Sequence, residues 1–474
     1  MTIFSFVVLG ISVYYLSRKK RIVDKYVYIT ALAIALETMM SSGYFIRLAG
    51  FELGHSEVVI LLDSGIAMLM LMKKIPSSRH FLTGILLIFS CTASLILQIL
   101  FPYEGRVVSE AANWDRYYFL GMEPGFIKIS FNHVKEIVHV ICYVLILLQF
   151  FKLTKENKRK LLLKVFGFEK IFIWYGLLEF ICVKFLNRQT EILKCVMFVV
   201  GDSFIYAAGN ISLGVGNRLQ GINSEPSMYG VALFIFVLLG LYLYKENKDK
   251  KTLAYILLAL VLMVSSLAFS AIVCLAWLAA FWIIMKYQEG GNQRRAVILT
   301  LAGVSIVIAV VLYRYLYMNS FSNYYLQRIH MALINLDDLS IGGWSGNYEV
   351  YDGSTKIRLV SMIGTLLYFI KRPLFGLALG STYSHSSFAT ILASIGFVGT
   401  VIWGKFTFFA SKVKYNFYYI FILALWCGLL FIAGVGLFQF YGVQNITIIS
   451  VFGWFLESAP NLEKVKTECI WKNL

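Results

Sequence analysis

Runs of about 17 to 25 apolar residues, enough to match the hydrocarbon thickness of a bilayer, recur along the whole chain between short charged loops. Hydrocarbon offers no partner for backbone N–H and C=O groups, so a segment that crosses it is either a helix or a strand of a closed barrel. Uninterrupted runs of this length select helices. The 474 residues are 59% hydrophobic and only 15% charged, with a mean hydropathy of +0.73, which excludes a soluble globular protein of average makeup. The expected fold is all-α, a polytopic transmembrane helix bundle of about 12–13 spans that makes residues 1–474 a single integral membrane domain.

A formal net charge of +17 would point a soluble protein towards nucleic acid. Here the basic residues sit in clusters between apolar runs, at Arg18 to Lys25, Lys73 to Arg79, Lys152 to Lys164, Lys245 to Lys251, Lys286 to Arg295, Lys405 to Lys414 and the tail from Lys464. Orientation in a membrane explains them, and no nucleic-acid partner is expected. If these clusters face the cytoplasm, 27 of the 43 Lys and Arg lie in short inner segments. Spans are then expected at 2–17, 26–45, 57–72, 81–101, 136–151, 165–186, 228–244, 252–268, 270–285, 296–313, 386–404, 415–435 and 444–457. The first precedes its basic cluster and lacks a small-residue cleavage site, so it reads as a span with its N-terminus outside rather than a leader.

Three long outer segments follow from that alternation, 102–135, 187–227 and 314–385. Glu191 to Ile211 is apolar but broken by Gly201, Asp202 and Gly209, which suits a re-entrant or interfacial outer element. In the third segment Leu326, Ile329, Leu333 and Leu336 repeat at helical spacing, and a second helix is expected over Ile357 to Ile370, closed by Pro373. Seven cysteines lie mostly in apolar runs without metal-binding spacing, so neither a zinc site nor a disulfide framework is expected.

Charged groups near hydrocarbon pair, face water or carry function. Glu37, Asp63 and Glu179 fall inside expected spans and are scattered, which favours helix packing against Lys170, Lys184 or backbone groups over a proton relay. Two outer stretches gather polar residues with turn formers. In the first, Gly216 to Ser227, Pro226 suits the first turn of a helix, Ser224 or Glu225 can cap it, and Arg218 lies just upstream. In the second, Lys356 and Arg358 precede the apolar helix, and Gly376, Gly380 and His385 follow it; glycine turns of that kind expose N–H groups suited to anionic oxygens. Arg218, Arg328 and Arg358 stand on the outer side against the general charge bias, and a guanidinium fork fits phosphate. Arg314 and Arg372 read better as interfacial anchors.

The pattern Arg218-x-x-Gly221-x-x-x-Glu225-Pro226-Ser227, then Arg358, Pro373-Leu-Phe-Gly376-x-x-x-Gly380, and His385 ahead of Ile395-Gly396-Phe397-Val398-Gly399, resembles the O-antigen ligase and Wzy-type polysaccharide polymerase superfamily over roughly residues 210–400. The resemblance implies a metal-independent, cofactor-free glycosyltransferase of the bacterial cytoplasmic membrane. Such an enzyme joins oligosaccharides carried on undecaprenyl diphosphate at the outer leaflet, and its expected partners are membrane lipid, a flippase and a chain-length regulator. Arg218 and Arg358 would clamp the diphosphate, Arg328, Lys356, Gly376 and Gly380 would bind diphosphate or glycan, and His385 or Glu225 would take the acceptor's proton. Three alternatives stand beside a polymerase of O-antigen or capsule: a ligase moving finished glycan to lipid A core, a flippase or exporter of lipid-linked sugars, and a non-catalytic scaffold.

Overall fold

The computed structural model describes residues 1–40, 44–48, 51–73, 78–107, 123–126, 129, 131–201, 218–223, 225–266, 268–289, 362, 365–381, 384, 386–408, 423, 426–427 and 442–458. Over these the chain is mostly helical, in the order α1 (Ile3–Arg18), α2 (Ile22–Met39), β1 (Tyr44–Leu48), β2 (Phe51–Gly54), α3 (His55–Lys73), α4 (Ser78–Leu100), β3 (Glu104–Val107), β4 (Glu123–Phe126), α5 (Phe131–Lys152), α6 (Lys155–Lys184), α7 (Gln189–Val200), α8 (Pro226–Asn247), α9 (Lys250–Ser265), α10 (Phe269–Glu289), α11 (Ser387–Phe408) and α12 (Asn445–Ser458). Five described helices, α3, α4, α5, α8 and α11, are long and apolar enough to cross a membrane.

The expected spans within the described residues coincide with helices, apart from the early end of one and an interruption inside another. The span expected at 26–45 ends as a helix at Met39, and the chain then forms β1, which pairs antiparallel with β2. A second antiparallel pair, β3 with β4, lies in the segment 102–135, so the all-α expectation gains two short hairpin-like ribbons. Strand alternation over four or five residues is too weak a signal to stand out beside long apolar helices. The span expected at 296–313 lies outside the described residues, and so does all but residues 423, 426 and 427 of the one expected at 415–435.

Helices α2 and α8 form the centre. Most residues of each are buried, α2 packs on α1, α3, α6 and α8, and α8 packs on α6, α9, α10 and α12. Close approach comes from small residues: Gly230 of α8 faces Ala271 of α10, and Gly240 faces Ile256 of α9. Aromatic rings fill what remains, with Phe166 of α6 stacked on Phe236 of α8 at 4.7 Å and Trp277, Trp426 and Phe452 clustered on the far side of Phe234.

Polar contacts separate the two ends of the bundle. At one end Asp24 at the start of α2 meets Lys160 near the start of α6 at 2.5 Å, and Arg159 meets Glu246 near the end of α8 at 3.1 Å. Asp249 caps α9 there, and the N–H groups of Lys251 and Thr252 hold its carboxyl below the usual carboxylate range. These contacts gather three of the basic clusters at that end. The opposite end carries the finish of α2 and α6 and the start of α8 and α12, where the polar loops lie.

A crossing of two broken segments completes the fold beside α4. Residues 365–371 are helical, and the chain leaves the helix at Arg372, just before Pro373 as expected. α11 is interrupted at Gly396, whose φ of 66° and ψ of −173° suit glycine alone. The two irregular stretches satisfy each other: Leu377 and Ala378 donate to the Ala393 and Ser394 carbonyls at 2.8 and 3.0 Å, and Phe397 donates to the Pro373 carbonyl at 2.7 Å. Ser94 of α4 joins them, its hydroxyl donating to the Ser394 carbonyl and accepting from the Ala378 N–H.

Candidate functional site

Pro226 opens α8 as its N1 residue and Glu225 is the N-cap, extended at φ −143° and ψ 150°, so the helix start read from the sequence is where it was expected. Upstream, residues 218–223 fold back over the end of α6. Glu179 lies there, fully buried, and its two oxygens accept the N–H groups of Gln220 at 3.0 Å and Gly221 at 2.8 Å. One carboxylate thereby holds two consecutive backbone donors of a loop that has no helix to satisfy them. Gly221 rests against the Tyr229 ring, so the loop lies close on the first turn of α8. The Asn223 amide donates to the carbonyl of Met39 at 3.3 Å, tying the loop to the end of α2.

Arg218 is placed by both its ends. Its carbonyl accepts from the Gln189 amide of α7 at 2.9 Å, and its guanidinium Nε donates to the carbonyl of Ser266 at 3.3 Å, at the C-terminus of α9 where a cation is favoured. The side chain is half-buried, and so is that of Glu225, whose carboxylate accepts the Ser227 hydroxyl at 2.8 Å. Arg218 and Glu225 thus flank one short loop built on α6, α8 and α9.

Gly376 and Gly380 belong to a different neighbourhood, the crossing at α4, α5 and α11. Gly376 donates its N–H to the Arg372 carbonyl, and a Cβ there would sit 2.5 Å from the Ala393 carbonyl oxygen. Its glycine is explained by backbone contact, and its own N–H is committed within the chain. Gly380 lies against the backbone of Asn132 and His133, and Ser381 next to it shares a hydrogen bond of 3.1 Å with the His133 imidazole. Arg372 fits the anchor reading: it bonds Gln98 at 2.9 Å and the Phe101 carbonyl at the end of α4, with its guanidinium carbon 5.9 Å from the centre of the Tyr103 ring. Ser386 caps α11 by accepting the Ala389 N–H. Arg328, Lys356, Arg358 and His385 lie outside the described residues.

The other acids that fall in expected spans meet nearby donors. Glu37 accepts the Gln444 N–H at 2.9 Å and the Thr30 hydroxyl lies 3.0 Å from Asp63, while Lys170 holds its ammonium over the Phe166 and Tyr255 rings at 4.7 and 4.6 Å. Glu169, which the sequence reading did not single out, is fully buried with neither carboxylate oxygen hydrogen-bonded.

A second polar cluster lies at the starts of α3 and α5. Glu57 accepts Lys135 Nζ at 2.8 Å with one oxygen and the Gly54 N–H at 2.8 Å with the other. The His139 imidazole stands between two carboxylates, with Nε2 3.7 Å from Glu57 and Nδ1 3.7 Å from Glu136. All four side chains keep between 11% and 23% of their surface exposed, so the cluster is sheltered yet open. Sequence spacing hides it, because Glu57 precedes His139 by a whole hairpin of helices. The only local signal is Lys135-Glu136 and His139 at helical spacing at the mouth of an apolar run.

No protein-family model, curated protein or solved structure matches the chain.

Proposed function

We propose that the chain polymerises undecaprenyl-diphosphate-linked oligosaccharide repeat units into a surface polysaccharide, O-antigen or capsule, at the outer leaflet of a bacterial cytoplasmic membrane. The observation that carries this reading is the loop from Arg218 to Glu225, fastened by buried Glu179 at the end of the bundle opposite the basic clusters. Joining sugars from a lipid diphosphate requires a cation at the departing diphosphate and a proton acceptor for the attacking hydroxyl. Arg218 is a guanidinium fixed by its backbone beside a helix end, and Arg358 supplies the second cation in this reading. Helix α7 spans 12 residues, roughly 18 Å, against a hydrocarbon core of about 30 Å, and in this topology it lies along the outer interface beside the loop.

Deleting the gene in its host and separating surface glycan on a gel tests the reading. A single repeat without a ladder, restored by the wild-type chain and not by an equal amount of Arg218→Ala, is the expected outcome. Long lipid-linked chains left unattached would select a ligase instead. The interruption of α11 at Gly396 favours a second reading, an exporter of lipid-linked sugars, because broken helices line the paths of transporters. Repeat units trapped inside the cell would select it.

A further inference from the structure

We infer that the basic end of the bundle holds the phosphate headgroup of an anionic phospholipid, in a pocket formed by Lys19, Lys160 and Lys164 around Tyr28. The inference stands apart from the sugar chemistry, which belongs to the opposite end. The Tyr28 ring, near the start of α2, is buried, and Tyr15 of α1 stacks on it at 4.4 Å. Three ammonium groups converge on that ring, with Lys19 Nζ 4.6 Å, Lys164 Nζ 5.0 Å and Lys160 Nζ 5.8 Å from its centre. Lys19 ends α1, and the other two lie one turn apart on α6, so three helices meet at the pocket.

One carboxylate answers this charge. Asp24 pairs with Lys160 at 2.5 Å and is shared with Arg21 at 3.0 Å, while no carboxylate among the described residues pairs with Lys19 or Lys164. The ring face attracts a cation, but like charges held this close repel one another. A phosphate diester beside the ring supplies the missing negative charge and the oxygen acceptors that ammonium donors need.

What continues from the lysines points to a lipid as the source of that phosphate. Lys160, Lys164, Gly167, Ile171, Trp174 and Leu178 follow one another at intervals of four and three residues, so they form one stripe along α6. Beyond the two lysines the stripe turns apolar. Ile171, Trp174 and Leu178 keep 62%, 57% and 53% of their surface exposed, and a Cβ on Gly167 would meet nothing within 4 Å. Cations at one end of an open, apolar strip match the outline of a headgroup above an acyl chain. With the basic clusters on the cytoplasmic side, the pocket faces the leaflet in which anionic headgroups concentrate.

The test titrates the full chain, purified in detergent with phosphatidylcholine, with dioleoyl phosphatidylglycerol, and counts bound lipid by native mass spectrometry. Phosphatidylglycerol retained in preference to phosphatidylcholine is the expected result, with an affinity that falls about 5-fold in Lys19→Gln or Lys164→Gln and roughly 30-fold in the double variant. Lys250→Gln/Lys251→Gln, which removes two exposed lysines from the same end of the bundle, should leave that affinity unchanged. Equal retention of the two lipids would overturn the inference. So would a loss in Lys250→Gln/Lys251→Gln as large as that in the Lys19 and Lys164 double variant, because diffuse surface charge would then explain the binding. Displacement of the lipid by millimolar inorganic phosphate would overturn the lipid assignment and leave a site for the free anion.

Discussion

Two backbone N–H groups, those of Gln220 and Gly221, have the Glu179 carboxylate as their acceptor. Replacing it with alanine leaves both donors buried, at about 1–3 kcal/mol each, whereas glutamine keeps one acceptor oxygen. Glu179→Ala is therefore expected to lower the thermal midpoint of the detergent-solubilised protein well below that of Glu179→Gln, and equal midpoints would show that the loop finds other partners. The sequence marked Glu179 as a buried acid and Arg218 and Glu225 as a loop pair, because a charge in an apolar run and a proline after it are local signals. It gave no means of joining Glu179 to Gly221, which lies 42 positions along the chain. His139 was hidden for the same reason: its carboxylates are one turn away on α5 and on a separate helix, and only packing brings the second one close.

Among elements, hydropathy located the helices well, since the length of an apolar run is set by bilayer thickness and not by tertiary contacts. It read α11 as an uninterrupted span, and the structure corrects that at Gly396. A lone glycine within a span looks the same in sequence whether it allows close packing or breaks the helix; the difference lies in the segment that meets it. A Cβ on Gly396 would stand 2.3 Å from the Leu374 carbonyl oxygen, in a backbone conformation that only glycine enters freely. Gly396→Ala is expected to destabilise the fold by about 3 kcal/mol or more. Gly404, farther along the same helix, has open space around it, and Gly404→Ala should be neutral or stabilising by up to about 1 kcal/mol. Thermal unfolding of the two variants side by side checks the contrast, and equal midpoints would mean that the crossing yields at little cost.

For the whole molecule, the two ends of the bundle predict which loops meet which compartment. With cysteine-free chains carrying either Arg188→Cys or Lys250→Cys, a membrane-impermeant maleimide added to intact cells should label the first and spare the second until the cells are opened. The reverse pattern would place the Arg218 loop in the cytoplasm and end the outer-leaflet proposal. The crossing of residues 372–378 with α11 carries a consequence for biogenesis as well. A buried backbone group needs a partner, and neither of these stretches satisfies its own, because each carries N–H or carbonyl groups that the other completes. α4, with Ser94 ready to receive both, is made hundreds of residues earlier. The two later stretches therefore complete each other only after both have been made, and they then close against Ser94 of a helix synthesised long before.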